Sequence, residues 1–335
     1  MNRQSYSTLS FIVIISIIFF YIFLLSWNVD CDNNATIVIP KGSSMSYVSN
    51  LLQDKHCISS FDITLFKVAM KLTFKENKIH AGKYSLNGVS KIGELINRIT
   101  SASGSKIKLT FIEGWSAQKY ASKLKYSIGI DSVKFMDICN SGYIKEFGIN
   151  APSCEGFLYP DTYIFLSSYT ERQIIDTMIK RFLHVYRNFI YEKAANINLS
   201  MTEVAILASI VQGEAARHSE MNLISSVYHN RLNKNMLLQA DPTIQYIIPG
   251  ENRRLWYKDL KIKSPYNTYI HKGLPPGPIS NPGLSALLSA INPENSDYLY
   301  FVSDARGGHI FSRNIKEHER AKKIFKKRRR DQKKK

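Results

Sequence analysis

"LASIVQGEAAR", running from Leu207 to Arg217, sets the reading of the whole chain. Leu207, Ile210 and Val211 recur at helical spacing and predict a helix with an apolar face. Glu214 stands seven, four and three residues beyond them, on that same face. Two readings follow. In one, the stripe has ended and Glu214 is at the surface, where charged residues nearly always sit. In the other, its carboxyl is held against apolar surroundings, which penalises the charged form and raises the pKa.

This helix lies inside a stretch, residues 171–233, that is predicted to be helical throughout. On its C-terminal side, residues 237–283 read as loops dense in Pro, Gly, Asn and Tyr. "NPGLSALLSAIN" follows as a capped helix, and "DYLYFVSDARGGHIFS" as a hairpin with a Gly-Gly turn and period-two strands. A basic helix is expected from near Asn314. On the N-terminal side, "CEGFLYPDTYIF" turns at Pro160-Asp161, and strand "KLTFIEGW" feeds helix "SAQKYASKLKY". Before these comes a compact segment: strand "ATIVIP", a Pro-Lys-Gly turn, a helix from near Ser46, helix "FDITLFKVAMKLTF", strand "KIHAGKYSL" and helix "SKIGELINRITS". It closes in the linker-like "SASGSK". The predicted class is α+β, with a small α/β unit at 35–104, a larger domain at 105–325 and a basic tail at 326–335.

The 335 residues suffice for two ordinary domains. Leu9 to Trp27 is a run of nineteen residues without a charge. A cleaved signal peptide has a shorter apolar core and small residues at its end, whereas "FLLSWNVD" is bulky. A single transmembrane helix over 9–27 is therefore expected. Arg3 before it and Asp30 and Asp32 after it keep residues 1–8 cytoplasmic. The net charge is +18, and residues 316–335 hold twelve Lys or Arg against Glu317, Glu319 and Asp331. Such a tail reads as a solvated end that can touch anionic lipid or polymer. No aromatic-rich nucleic-acid motif accompanies it, so no nucleic-acid partner is expected. Cys31, Cys57, Cys139 and Cys154 contain no C-x-x-C, and no histidine pair has metal-ligand spacing, so no metal is expected. Cys31–Cys57 and Cys139–Cys154 pairs are possible in an oxidising compartment.

"IPKGSS", "HAGKYSL", "EGFLYPDTY", "LASIVQGEA", "SSVYHNRLNKNMLLQADPTIQY", "SPYNTYIHKGLPPGPISNPG" and "YLYFVSDARGGHIFS" occur in series. Together they resemble the endolytic murein transglycosylases, the YceG-like family, over nearly the whole chain beyond the apolar run. The resemblance implies a bitopic inner-membrane protein with a LysM-like unit at 35–104. Its catalytic domain would be periplasmic, facing the wall, and would cut nascent peptidoglycan strands internally. The family's catalytic glutamate, the second acidic position of an Ile-Val-Glu-x-Glu pattern, falls on Glu214. The first acidic position is Gln212 here, so any supporting charge there is lost.

Such an enzyme cleaves the bond between N-acetylmuramic acid and N-acetylglucosamine with no added water. The C6 hydroxyl of the muramic acid attacks its own C1, leaving a 1,6-anhydro end. One carboxyl that donates a proton and later accepts one then suffices, where ordinary glycosidases use two. For sugar binding, Gln239, Asp241, Thr243 and Tyr246 in "LLQADPTIQY" and Asn267 and Tyr269 in "SPYNTY" are the candidates, with Glu155 and Asp161 as further carboxylates. Asp241 reads equally as a turn residue before Pro242, and a structural role is expected for Glu155 and Asp161. No cofactor is implied. The expected partners are glycan strands, the inner membrane and, by the same resemblance, peptidoglycan synthases. Two other readings are testable. A penicillin-binding-type serine enzyme would use a Ser-x-x-Lys at Ser103, Ser116 or Ser122, but lacks Lys-Thr-Gly. A wall-binding scaffold would keep Glu214 without using it.

Overall fold

The computed structural model describes residues 3–31, 35–40, 42–100, 106–166, 169–250 and 253–333. In chain order its elements are α1 (Arg3–Ser26), β1 (Thr36–Ile39), α2 (Met45–Asp54), α3 (Ser60–Leu72), β2 (Gly82–Ser85), α4 (Ile92–Thr100), β3 (Lys106–Thr110), α5 (Ala117–Ile128), α6 (Ser132–Asn140) and β4 (Thr162–Leu166). They continue with α7 (Glu171–Phe189), α8 (Tyr191–Asn196), α9 (Met201–Glu214), α10 (Met221–Asn233), α11 (Asp241–Ile247), α12 (Leu284–Ile291), β5 (Tyr300–Ser303), β6 (His309–Ser312) and α13 (Ile315–Lys333). The class is α+β. The linker-like residues 101–105 and Lys41 of the Pro-Lys-Gly turn lie outside the described residues.

The chain divides into two units, one of Met1–Leu109, Ala121–Ser132 and Tyr163–Glu171, the other of the remainder. In the first, β1 and β2 pair antiparallel with Ile37 opposite Tyr84. The alternation of β1 puts Ile37 and Ile39 wholly inside, as a strand with one buried face requires. They pack with Val48 and Leu52 of α2, Phe66 and Met70 of α3, and Leu95 and Ile99 of α4. A capping box starts α3: Asp62 N–H donates to Ser59 Oγ while Ser59 N–H donates to Asp62 Oδ2. A disulfide joins Cys31 to Cys57. Cys139 and Cys154 are buried free thiols.

The expected membrane-spanning helix over 9–27 is corrected. Among the described residues, no helix is long and apolar enough to cross a membrane. The side chains of α1 are described from Ile12. The C-terminal end of this helix is also committed to protein. Leu24 is buried, Leu25 packs on the core of the unit, and Trp27 Nε1 donates to Asp62 at 2.8 Å. Apolarity in this stretch thus serves packing at one end, while Ile12 to Phe23 stay exposed.

In the second unit α9 is the central element. Every residue from Val204 to Val211 is buried, so the expected single stripe is in fact apolar on all sides, the mark of an interior helix. It packs on α10, α11 and α12. Its start carries a capping box, Ser200 with Glu203. Ser209, buried within it, donates to Ile206 O at 2.7 Å and accepts from Ile279 N–H at 3.1 Å. The β5–β6 hairpin pairs Phe301 with Phe311 and packs on α13. That helix continues through the basic run to Lys333, where the composition suggested a solvated end; Lys, Arg and Gln are good helix formers.

Candidate active site

Past Val211, α9 emerges from the interior and ends on Glu214. Its carboxyl looks into a cavity of about 510 Å³ closed by α10, the turn into α11, the Tyr269 loop, the hairpin and α13. Tyr228 Oη, almost fully buried on α10, donates to Glu214 Oε1 at 2.9 Å. Burial pushes the Glu214 pKa up to about 7, and the nearby Asp241 charge adds to that. The Tyr228 hydroxyl, the Asp241 backbone N–H and the Arg231 charge pull it partway back. Its place at the negative end of the helix dipole acts in the same direction as burial. The carboxyl is therefore poised near neutrality, between donor and acceptor.

The two neighbours act in opposite directions, which makes the site testable by titration alone. Tyr228→Phe removes a bond to the charged form and is expected to raise the Glu214 pKa. Asp241→Asn removes a repelling charge and is expected to lower it. Shifts of about 1 unit each, of opposite sign, are expected in a carbon-detected NMR titration. Shifts of the same sign would show that these groups do not set the titration.

Arg231, also buried, spends its donors on backbone carbonyls. Nε donates to Leu299 O at 2.7 Å and Nη1 to Leu238 O at 2.7 Å, tying α10 to the hairpin and to the loop before α11. Its guanidinium lies over the Tyr300 ring at 5.2 Å. Close approach of α11 depends on Gly213, where a Cβ would stand 2.7 Å from Pro242 Cβ.

Of the residues singled out from sequence, Gln239, Asp241 and Tyr269 line the cavity with Glu214. Tyr269 Oη donates to Asp241 Oδ1. Thr243 and Asn267 are buried behind it. Thr243 Oγ1 bonds Ala240 O and Thr268 Oγ1, and Asn267 Oδ1 accepts from Tyr269 N–H. They set the loop that carries Tyr269. Tyr246 packs on Tyr266 at 5.0 Å and is not in the cavity wall. Glu155 is buried elsewhere, accepting from Ala117 N–H and Asn281 Nδ2. Asp161 pairs with Arg181 at 2.8 Å. Gln212, in place of an acidic residue, accepts from Gly283 N–H at 3.1 Å and links α9 to the start of α12. Ser116 Oγ accepts from Lys119 N–H, an N-cap role.

Sequence reasoning missed Tyr228, Arg231, Tyr300, Phe301, Ser303, His309 and His318, which also line the cavity. A signal existed. Tyr228 and Arg231 are polar groups three apart on a helix whose other buried positions are apolar or small. Phe301 and Ser303 share one face of β5 by strand alternation.

The YceG-like family model matches residues 37–324. The endolytic murein transglycosylase of Bacillus subtilis (strain 168) is 33% identical over 315 residues, 88% of this chain and 86% of that one. That of Streptococcus pneumoniae (strain ATCC BAA-255 / R6) is 33% identical over 239 residues, 68% of this chain but 42% of the relative. A crystal structure of a YceG-like protein from Listeria monocytogenes, 30% identical, superposes with a TM-score of 0.61 over 86% of this chain and 98% of that one. By sequence across most of its length and by fold, the chain belongs to the YceG-like family.

Proposed function

We propose that Glu214 is the general acid, and then the base, of the murein transglycosylase activity this chain shares with its relatives. The chain is an endolytic lytic transglycosylase of peptidoglycan. One observation carries the assignment of Glu214: a carboxyl with its pKa raised to about 7 faces the cavity, fixed by the Tyr228 hydroxyl. Protonated, it donates to the glycosidic oxygen as the bond to C1 breaks. The C6 hydroxyl of the same muramic acid then closes on C1, and its proton returns to the Glu214 carboxylate. Atoms balance without water. Asp241, held by Tyr269, supplies negative charge facing the oxocarbenium-like centre, and Gln239 offers amide bonds to sugar hydroxyls.

Cleavage products of uncrosslinked glycan, read by mass spectrometry, test this. Internal fragments ending in 1,6-anhydro-muramic acid are expected. Reducing ends instead would mean hydrolysis and a second catalytic carboxylate. No cleavage by folded protein would favour a wall-binding scaffold. Gly213→Ala is expected to push Pro242 and with it Asp241 outward, lowering kcat by about 100-fold, as an error of about 1 Å can do. A kcat within a factor of two of wild type would show that Asp241 placement is unimportant.

The unit at 35–104 takes the LysM-like role of glycan binding. The order β1–α2–α3–β2, with β1 and β2 paired antiparallel, supports that reading. The enzyme acts on the wall side of the cytoplasmic membrane, where murein is built, beside the synthases that make its substrate.

A further inference from the structure

The loop between α11 and Asn267 displays two aromatic side chains in succession. Trp256 is 55% exposed and Tyr257 89%. Exposed large apolar groups in a fixed arrangement mark interaction sites more often than scattered ones do. This loop is fixed. The Arg253 guanidinium forks onto Asp259, Nη1 to Oδ2 at 2.8 Å and Nη2 to Oδ1 at 2.9 Å. Asp259, itself buried, also accepts from Trp256 N–H at 2.8 Å. The Arg254 guanidinium lies 5.3 Å from the Trp256 ring centre.

Both ends of the loop are braced by elements of the active site. On the α11 side, Gln245 Oε1 accepts from Arg253 N–H at 3.3 Å, on the helix that begins with Asp241. On the other side, Asn267 Nδ2 donates to Leu260 O at 3.1 Å and Ile262 O at 2.8 Å, while its Oδ1 positions the Tyr269 backbone. Neither ring lines the Glu214 cavity.

We propose that Trp256 and Tyr257 form an outlying sugar-stacking subsite that holds the glycan strand beyond the Glu214 cavity. Pyranose rings present C–H faces that pack on aromatic rings, while the Tyr257 hydroxyl and Arg254 are placed to bond sugar hydroxyls or N-acetyl oxygens. A strand cut internally runs past the cavity on both sides, so a subsite outside the cavity would engage long strands and not short ones. The proposal rests on the transglycosylase reading and adds the determinant of strand length.

Full-length protein carrying Glu214→Gln, which binds without turnover, is titrated with long uncrosslinked glycan strands and with a tetrasaccharide of the same repeat. Long strands are expected to bind about tenfold tighter per site, and Trp256→Ala/Tyr257→Ala is expected to bring that ratio to about one. Trp256→Phe/Tyr257→Phe, which keeps two rings, is expected to retain most of it. An unchanged ratio in the alanine variant overturns the proposal, as does equal loss in both variants or the absence of any length effect beforehand. Wild-type cleavage is assayed separately. Length-dependent binding without anhydro ends would sink the catalytic reading and leave the subsite standing.

Discussion

Replacing Glu214 with glutamine is expected to lower kcat by about 1,000-fold, because it removes a carboxyl that faces the cavity and is held near neutrality. Glutamine keeps an oxygen for the Tyr228 hydroxyl, so the geometry survives while the transferable proton does not. In the wild type the acid must be protonated at the start of the reaction. With a folded-state pKa of about 7, kcat/KM is therefore expected to fall as pH rises through neutrality. Stability gives an independent reading. The native carboxyl holds its proton up to about pH 7, against 4.5 for the ordinary group, so wild-type stability declines as pH climbs through that window. The glutamine variant pays no such cost. It is expected to gain on wild type between pH 5 and 8, by at most about 3 kcal/mol. A variant that is inactive and gains nothing at pH 8 would place the carboxyl in solvent; an active variant would end its role as acid.

What sequence revealed and what it hid divide along the range of the interactions. The helices of the small unit, the hairpin and the Glu214 helix rest on local periodicity and caps, such as the Ser59–Asp62 box, and these were readable. Gln239, Asp241 and Tyr269 came from motif strings and do line the cavity. Thr243 and Asn267 came from the same strings, yet their side chains are spent on the loop backbone. Residue type cannot separate a group that binds sugar from one that holds such a group in place. The hairpin and α13 contribute to the cavity from far along the chain, through contacts that no window of sequence contains. The run at 9–27 misled because composition registers apolarity but not what it packs against, and Leu24 and Leu25 turn inward.

Glu155→Ala is expected to cost about 4 kcal/mol at pH 5 and distinctly less at pH 9, measured by chemical unfolding. The residue sits in a buried hydrogen-bond cluster of the larger unit. Its oxygens accept from Ala117 N–H, the first residue of α5, at 3.0 Å, and from Asn281 Nδ2 at 2.9 Å. Asn281 in turn accepts from Gly156 N–H and Leu158 N–H and donates to Trp115 O. Three distant stretches, around Trp115, Glu155 and Asn281, thus share one buried knot, and alanine at 155 leaves its donors unpaired and a void behind. Burial raises the Glu155 pKa to about 8, with the N–H donors holding it back. Native protein keeps that proton where the unfolded chain has lost it, so wild-type stability falls from about pH 4.5 to 8 and then levels. The alanine variant has no proton to lose, so its deficit narrows as pH rises. A deficit constant with pH would mean the carboxyl ionises normally and the knot is held by a salt-like group after all. This also separates the two acids of raised pKa: at pH 7 the Glu214 variant stays folded and loses chemistry, whereas the Glu155 variant loses activity in step with its folded fraction.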